Sequence, residues 1–266
     1  MLSLIPVELM QRLPLAWLLL TLVAVTPAWS RAVNEPACDM PPELTTPSAP
    51  LTRVAAALKA DSGLNILALG SGSTVGENGA SNGPAMAVNT PERSFPYRMV
   101  EMLRSMRPGI HVNLTVRGGR SMTADAMLPI LQRELAAHHY QLVLWQTGTV
   151  EAVHGVRPDV LRGVLQDGAD AADKADADLV LIDPQYSRFL RANTDLSPYE
   201  TVLTQMVDDQ GVTLFHRFDL TQTWVNNGQV DLERVSRDER DKTIALLNNC
   251  LGQALARYVL ATATEH

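Results

Sequence analysis

The stretch that most constrains this chain is residues 64–76, Leu-Asn-Ile-Leu-Ala-Leu-Gly-Ser-Gly-Ser-Thr-Val-Gly. Leu64, Ile66, Leu67, Ala68 and Leu69 form a nearly continuous apolar run that stops at Gly70. A run that short and that apolar predicts a strand buried on both faces, the kind found in a parallel sheet. A turn of small residues follows, Ser71-Gly72-Ser73-Thr74. Open α/β sheets build their sites at the C-terminal ends of such strands. Three readings compete for this turn: a phosphate cradle, a nucleophile turn, or a tight turn without chemistry.

The rest of the chain repeats the same beat. Strand candidates lie at 110–116, 140–145, 178–182 and 212–215, each closed by Gly, by Asp183-Pro184 or by a polar turn. Helical spacing covers 51–60, 96–106, 122–137, 158–175 and 198–209, with Ser197 as N-cap of the last of these and Pro198 at its first position. A final helix from Ser236 to about Leu260 opens with a capping box, Ser236-x-x-Glu239. Pro129 should kink the helix over 122–137. Residues 77–94 form a loop rich in Gly, Asn, Ser and Pro. Alternating strands and helices predict an α/β fold, a parallel sheet covered by helices on both faces. Right-handed crossovers and one switch point beside the first strand predict five strands in the order 2-1-3-4-5. The turns after Gly70, Val116, Gln146 and Ile182 then gather on one edge.

The N-terminus fixes the compartment. Residues 15–25 are mostly apolar, Arg12 precedes them, and Ala28 and Ser30 occupy the small-residue positions of a cleavage site. This is the layout of a secretory signal peptide over residues 1–30, and it predicts an exported protein, periplasmic or secreted. An uncleaved anchor is the competing reading, although eleven residues fall short of the ~20 that a spanning helix needs. Met10 is an alternative start. A Pro-rich lead-in with a short helix occupies 31–63, and the domain proper runs from 64 to 266. Two cysteines occur, Cys38 and Cys250, without any C-x-x-C spacing. In an exported chain such a pair predicts one structural disulfide and no metal site. A formal net charge of −7 with scattered arginines argues against a nucleic-acid partner.

Nucleotide chemistry does not fit the first turn. The glycines run Gly70-x-Gly72-x-x-x-Gly76 rather than G-x-G-x-x-G, and Val116-Arg117 stands where a ribose-binding acid belongs. No lysine follows the glycines as a P-loop requires. No cofactor is implied.

The first stretch resembles the first block of the SGNH/GDSL hydrolases. Asn113-Leu-Thr-Val-Arg-Gly-Gly119 resembles their second block and Leu142-Val-Leu-Trp-Gln-Thr-Gly-Thr149 their third. Leu181-Ile-Asp-Pro-Gln-Tyr186 and Leu214-Phe-His-Arg-Phe218 are similar to a bacterial exported branch of that family. Asp231-Leu-Glu-Arg-Val-Ser236 occupies the place of the last block, Asp-x-x-His. The resemblance implies a flavodoxin-like three-layer αβα sandwich and acyl-ester hydrolysis by a Ser–His–Asp set. Carried over position by position, the nucleophile position holds Gly72, the oxyanion Asn position holds Val150, and the His position holds Arg234. Only Gly118 and Asp231 match.

Two function classes follow. One is a catalytically degenerate envelope protein that binds a small-molecule or glycan ester ligand. The other is an active esterase with a displaced nucleophile, Ser71 or Ser73, and a base drawn from His216 or His154 near Asp183. Arg117 and Arg120, flanking the paired glycines, and Gly148 and Thr149, after the third strand, are the candidate ligand-binding residues. Trp145, Trp224, Tyr186 and Phe189 are candidates for either a sugar-binding surface or the core.

Overall fold

A computed structural model describes residues 38–76 and 93–261. Residues 1–30, expected to form a signal peptide, and the loop over 77–92 lie outside the described residues. Five strands form one sheet: β1 (Leu64–Gly70), β2 (Val112–Gly118), β3 (Leu142–Gln146), β4 (Asp178–Ile182) and β5 (Thr213–Phe215). Every pairing is parallel, and the order is β2-β1-β3-β4-β5, as the sequence predicts.

The helices are α1 (Pro42–Thr45), α2 (Thr52–Ala60), α3 (Gly72–Val75), α4 (Phe95–Met106), α5 (Ala124–Ala137), α6 (Thr149–His154), α7 (Pro158–Lys174), α8 (Arg188–Asn193), α9 (Ser197–Gln210), α10 (Arg217–Asn226) and α11 (Arg240–Ala261). Because side chains alternate along a strand, each strand feeds two cores. Ile66, Ala68, Leu144, Ile182 and Phe215 pack with Val54, Met99, Leu103, Leu251 and Ala254 from α2, α4 and α11. Leu67, Leu69, Val143, Trp145 and Leu181 pack on the opposite face with Met127, Leu131, Leu165 and Leu203 from α5, α7 and α9. The result is a three-layer αβα sandwich.

Cys38 and Cys250 are joined by a disulfide, with Cα atoms 5.8 Å apart and a separation of 212 positions in sequence. The bond ties the lead-in to α11. That lead-in is part of the core: Val54, Ala57 and Leu58 of α2 are buried, and the Val54 N–H at the start of α2 donates to Asp178 Oδ2 at 2.9 Å.

Two local expectations are corrected. Ser236 does not cap the last helix, which begins at Arg240; its hydroxyl instead donates to Glu239 Oε2 at 3.0 Å within a turn leading into α11. Ser197 lies one residue inside α9, whose N-cap position is Leu196; Asp195 Oδ1 accepts the Ser197 N–H at 3.0 Å, satisfying that end. The helices α1, α3, α6 and α8, too brief to show a helical period, lie outside the sequence expectation, as does the longer α10.

Candidate functional site

The strand order places the switch point between β1 and β3, so the turns leaving those two strands face each other. Gln146, the last residue of β3 and 3% exposed, fills that space. Its Oε1 accepts from Thr74 Oγ1 at 2.7 Å, Ser73 Oγ at 3.0 Å and Ser71 Oγ at 3.4 Å. Its Nε2 donates to Ser71 Oγ at 3.2 Å. One carboxamide thus organises every hydroxyl of the turn after β1. The turn can fold back this tightly because Gly70 has no side chain; a Cβ there would collide with Thr74.

The end of β2 closes against the same turn. Gly118 has φ +123°, and a Cβ there would run into the Gly70 carbonyl. The Gly119 N–H donates to that carbonyl at 3.3 Å. Only glycine combines this backbone angle with so close an approach.

After β3, Gly148 turns with φ +93° and α6 begins. Its N–H donates to Glu151 Oε2 at 2.7 Å, while Glu151 Oε1 accepts the Ala124 N–H at the start of α5 at 2.5 Å. The buried Glu151 carboxylate therefore joins two helix starts, where free N–H groups favour negative charge.

The ends of β4 and β5 add a buried charge. Arg217, 2% exposed, opens α10. It donates to Ser73 Oγ at 3.3 Å and to Gln185 Oε1 at 2.6 Å, and its guanidinium lies 5.3 Å from the Phe95 ring centre. Its Nε is buried without a hydrogen-bond partner. Burial pushes its pKa down to about 10, with the nearby Asp183 opposing, so it stays a cation at neutral pH. Asp183 is itself buried; desolvation raises its pKa well above the carboxylate range, and the Phe218 N–H donates to its Oδ1 at 2.7 Å.

The structure thus gathers Ser71, Ser73 and Gly118 at one rim, but no described hydrogen bond joins either serine to an expected histidine or to Asp231. His216 Nδ1 lies 4.0 Å from Asp183 and 3.9 Å from Asp219, and no described hydrogen bond joins it to either serine. His154 is exposed at the end of α6. Asp231 accepts from Arg188 at 2.8 Å and sits 3.7 Å from Arg234, so it orients no imidazole. Arg117 is engaged by Glu134 at 2.7 Å, and the Gly148 N–H by Glu151, so both expected ligand groups already have intramolecular partners. Thr149 is partly buried at the first position of α6, and Arg120 is exposed past Gly119. Trp145 and Trp224 are fully buried core residues, whereas Tyr186 and Phe189 line a cavity. Sequence reasoning missed Gln146, Gln185 and Arg217. The available signal was a polar residue ending an otherwise apolar strand, and a charge directly after one.

A family model described as the Non-GDSL lipase-like family matches residues 37–265. The chain belongs to the Non-GDSL lipase-like family. Its sheet and helices are also those of the SGNH/GDSL hydrolases, as solved structures show. An acetyl xylan esterase from Geobacillus stearothermophilus, Axe2, is 14% identical with a TM-score of 0.56, over 76% of this chain and 95% of that one. LAE5, an alpha/beta hydrolase enzyme from the metagenome of Lake Arreo, Spain, is 13% identical with a TM-score of 0.54, over 71% and 96%. A G-D-S-L family protein from Desulfitobacterium hafniense is 14% identical with a TM-score of 0.50, over 72% and 99%. Among curated proteins none matches the sequence. This member of the Non-GDSL lipase-like family carries Gly72 at the first position of α3, directly after the rim hydroxyl of Ser71.

Proposed function

We propose that the protein is exported to the cell envelope and binds a small-molecule or glycan ester at the C-terminal rim of its sheet without hydrolysing it. The observation that carries this reading is the partnering of the rim hydroxyls. Ser71 and Ser73 are held by the Gln146 carboxamide and, for Ser73, by the Arg217 cation. A carboxamide does not take up a proton at neutral pH, and a guanidinium does not give one up. Among the described residues neither serine therefore has a partner that would act as its base. Gly72 supplies no hydroxyl, Val150 no oxyanion donor, and Arg234 no base. The Cys38–Cys250 disulfide and the N-terminal signal layout support export. No described helix is long and apolar enough to cross a membrane.

The second reading is an acyl-ester hydrolase that uses the displaced Ser71 or Ser73. It is favoured by the position of Ser73, partly exposed at the rim with a cation on its Oγ. Turnover of p-nitrophenyl acetate separates the two. The binding reading expects a rate indistinguishable from buffer and unchanged by Ser71→Ala or Ser73→Ala. Turnover above buffer that disappears in either variant would establish the hydrolase reading instead.

A further inference from the structure

A cavity of about 320 Å³ opens beside α8, α10 and α11, at the lower end of the usual range for ligand pockets of about 300–1,000 Å³. We propose that this cavity, walled by Tyr186, Phe189, Asp231 and Glu233, binds a pyranose ring. The inference rests on the binding reading above and names the class of ligand.

Its lining carries two kinds of surface. Phe189 is 69% exposed on α8, a large and mostly uncovered aromatic ring. The Tyr186 ring is held edge-on against Phe218, with centres 5.4 Å apart. Beside them stand two carboxylates held in place by side-chain and backbone donors. Asp231 accepts from Arg188 at 2.8 Å and from the Glu233 N–H at 3.1 Å. Glu233 accepts from Ser187 Oγ at 2.7 Å and from the Arg188 and Phe189 N–H groups at 3.1 and 3.0 Å. Burial opposes ionisation of both, but these donors outweigh it and keep both pKa values below the ordinary carboxylate range. Glu233 Oε1 already accepts two of these bonds, whereas Asp231 Oδ1, Asp231 Oδ2 and Glu233 Oε2 each accept one and retain acceptor capacity for a ligand hydroxyl.

Arg191 lies over the Tyr186 ring, 5.8 Å from its centre, so Phe189 supplies the open aromatic face; such a face next to fixed acceptors matches a sugar ring, which has an apolar C–H face and hydroxyls at its edge. An acyl chain fits less well, because it would desolvate two ionised carboxylates and offer them no donor. Gln185 connects this cavity to the rim, since it lines the cavity and accepts from Arg217.

The test is saturation-transfer NMR on the purified protein with xylobiose, cellobiose and N,N′-diacetylchitobiose, and separately with hexanoate. At least one disaccharide should receive saturation, and Phe189→Ala should weaken it about tenfold, equivalent to ~1.4 kcal/mol. Because Phe189 is exposed, that variant should keep the wild-type melting temperature. No transfer to any of the three sugars, an unchanged affinity in Phe189→Ala, or displacement of the sugar by hexanoate would overturn the proposal. Sugar binding together with p-nitrophenyl acetate turnover would overturn only the non-hydrolytic reading. Absence of both would overturn only this one.

Discussion

Thr74 and Gln146 stand 72 residues apart in sequence and meet through a 2.7 Å hydrogen bond at the switch point of the sheet. Thr74 is fully buried, so its hydroxyl has this amide in place of water. The contact fixes the turn after β1 against the end of β3, and with it the direction of the Ser71 and Ser73 hydroxyls.

Gln146→Leu should therefore be destabilising by about 2–4 kcal/mol, since it strands buried hydroxyls rather than merely deleting a bond. Urea unfolding of the variant measures this. Adding Thr74→Val, which removes the stranded hydroxyl, should recover part of the loss. A Gln146→Leu cost below about 0.5 kcal/mol would mean that the network does not hold the rim.

Two glycine substitutions should act in opposite directions. Gly118→Ala meets a positive φ and the Gly70 carbonyl at once, and should cost at least ~2–3 kcal/mol. Gly163→Ala, inside α7 with open space around its Cβ, should stabilise by about 0.5–1 kcal/mol through helix propensity. Thermal melts of the two variants check both signs.

Asp183 predicts a pH dependence. Its folded pKa is raised above the unfolded value of ~3.9, so the folded state binds the proton more tightly. Its contribution is then most favourable below ~pH 4 and is lost as pH rises through the folded pKa. Asp183→Asn keeps a carbonyl for the Phe218 N–H but removes this loss. Relative to wild type, the variant should be more stable at pH 7 than at pH 4, as read from denaturation midpoints at the two values. An identical difference at both would show that the carboxyl does not sense its burial.

The architecture was legible because the strands are short apolar runs and the helices are periodic. Leu64–Gly70 and Asp178–Ile182 fall where those runs fall, and the disulfide joins the two cysteines that the sequence reading paired. The caps were less legible: Ser236 has the sequence of a capping box yet spends its hydroxyl on Glu239 in a preceding turn. The rim was the least legible. Ser71 and Ser73 were visible as hydroxyls, but what they do depends on Gln146 and Arg217, which reach them only through the parallel order of the sheet. Those partners lie 73 and 144 residues away from Ser73, and no local pattern encodes such pairing. Arg217 is buried because the Phe95 ring and Gln185 accommodate it inside.

The central claim is that the rim serines are not nucleophiles. The most direct measurement is to incubate the purified protein with a serine-directed fluorophosphonate probe and locate any adduct by peptide mass spectrometry. The account predicts no adduct at Ser71 or Ser73 under conditions that fully label an active serine esterase. Stoichiometric labelling of either residue, abolished by its change to Ala, would contradict it.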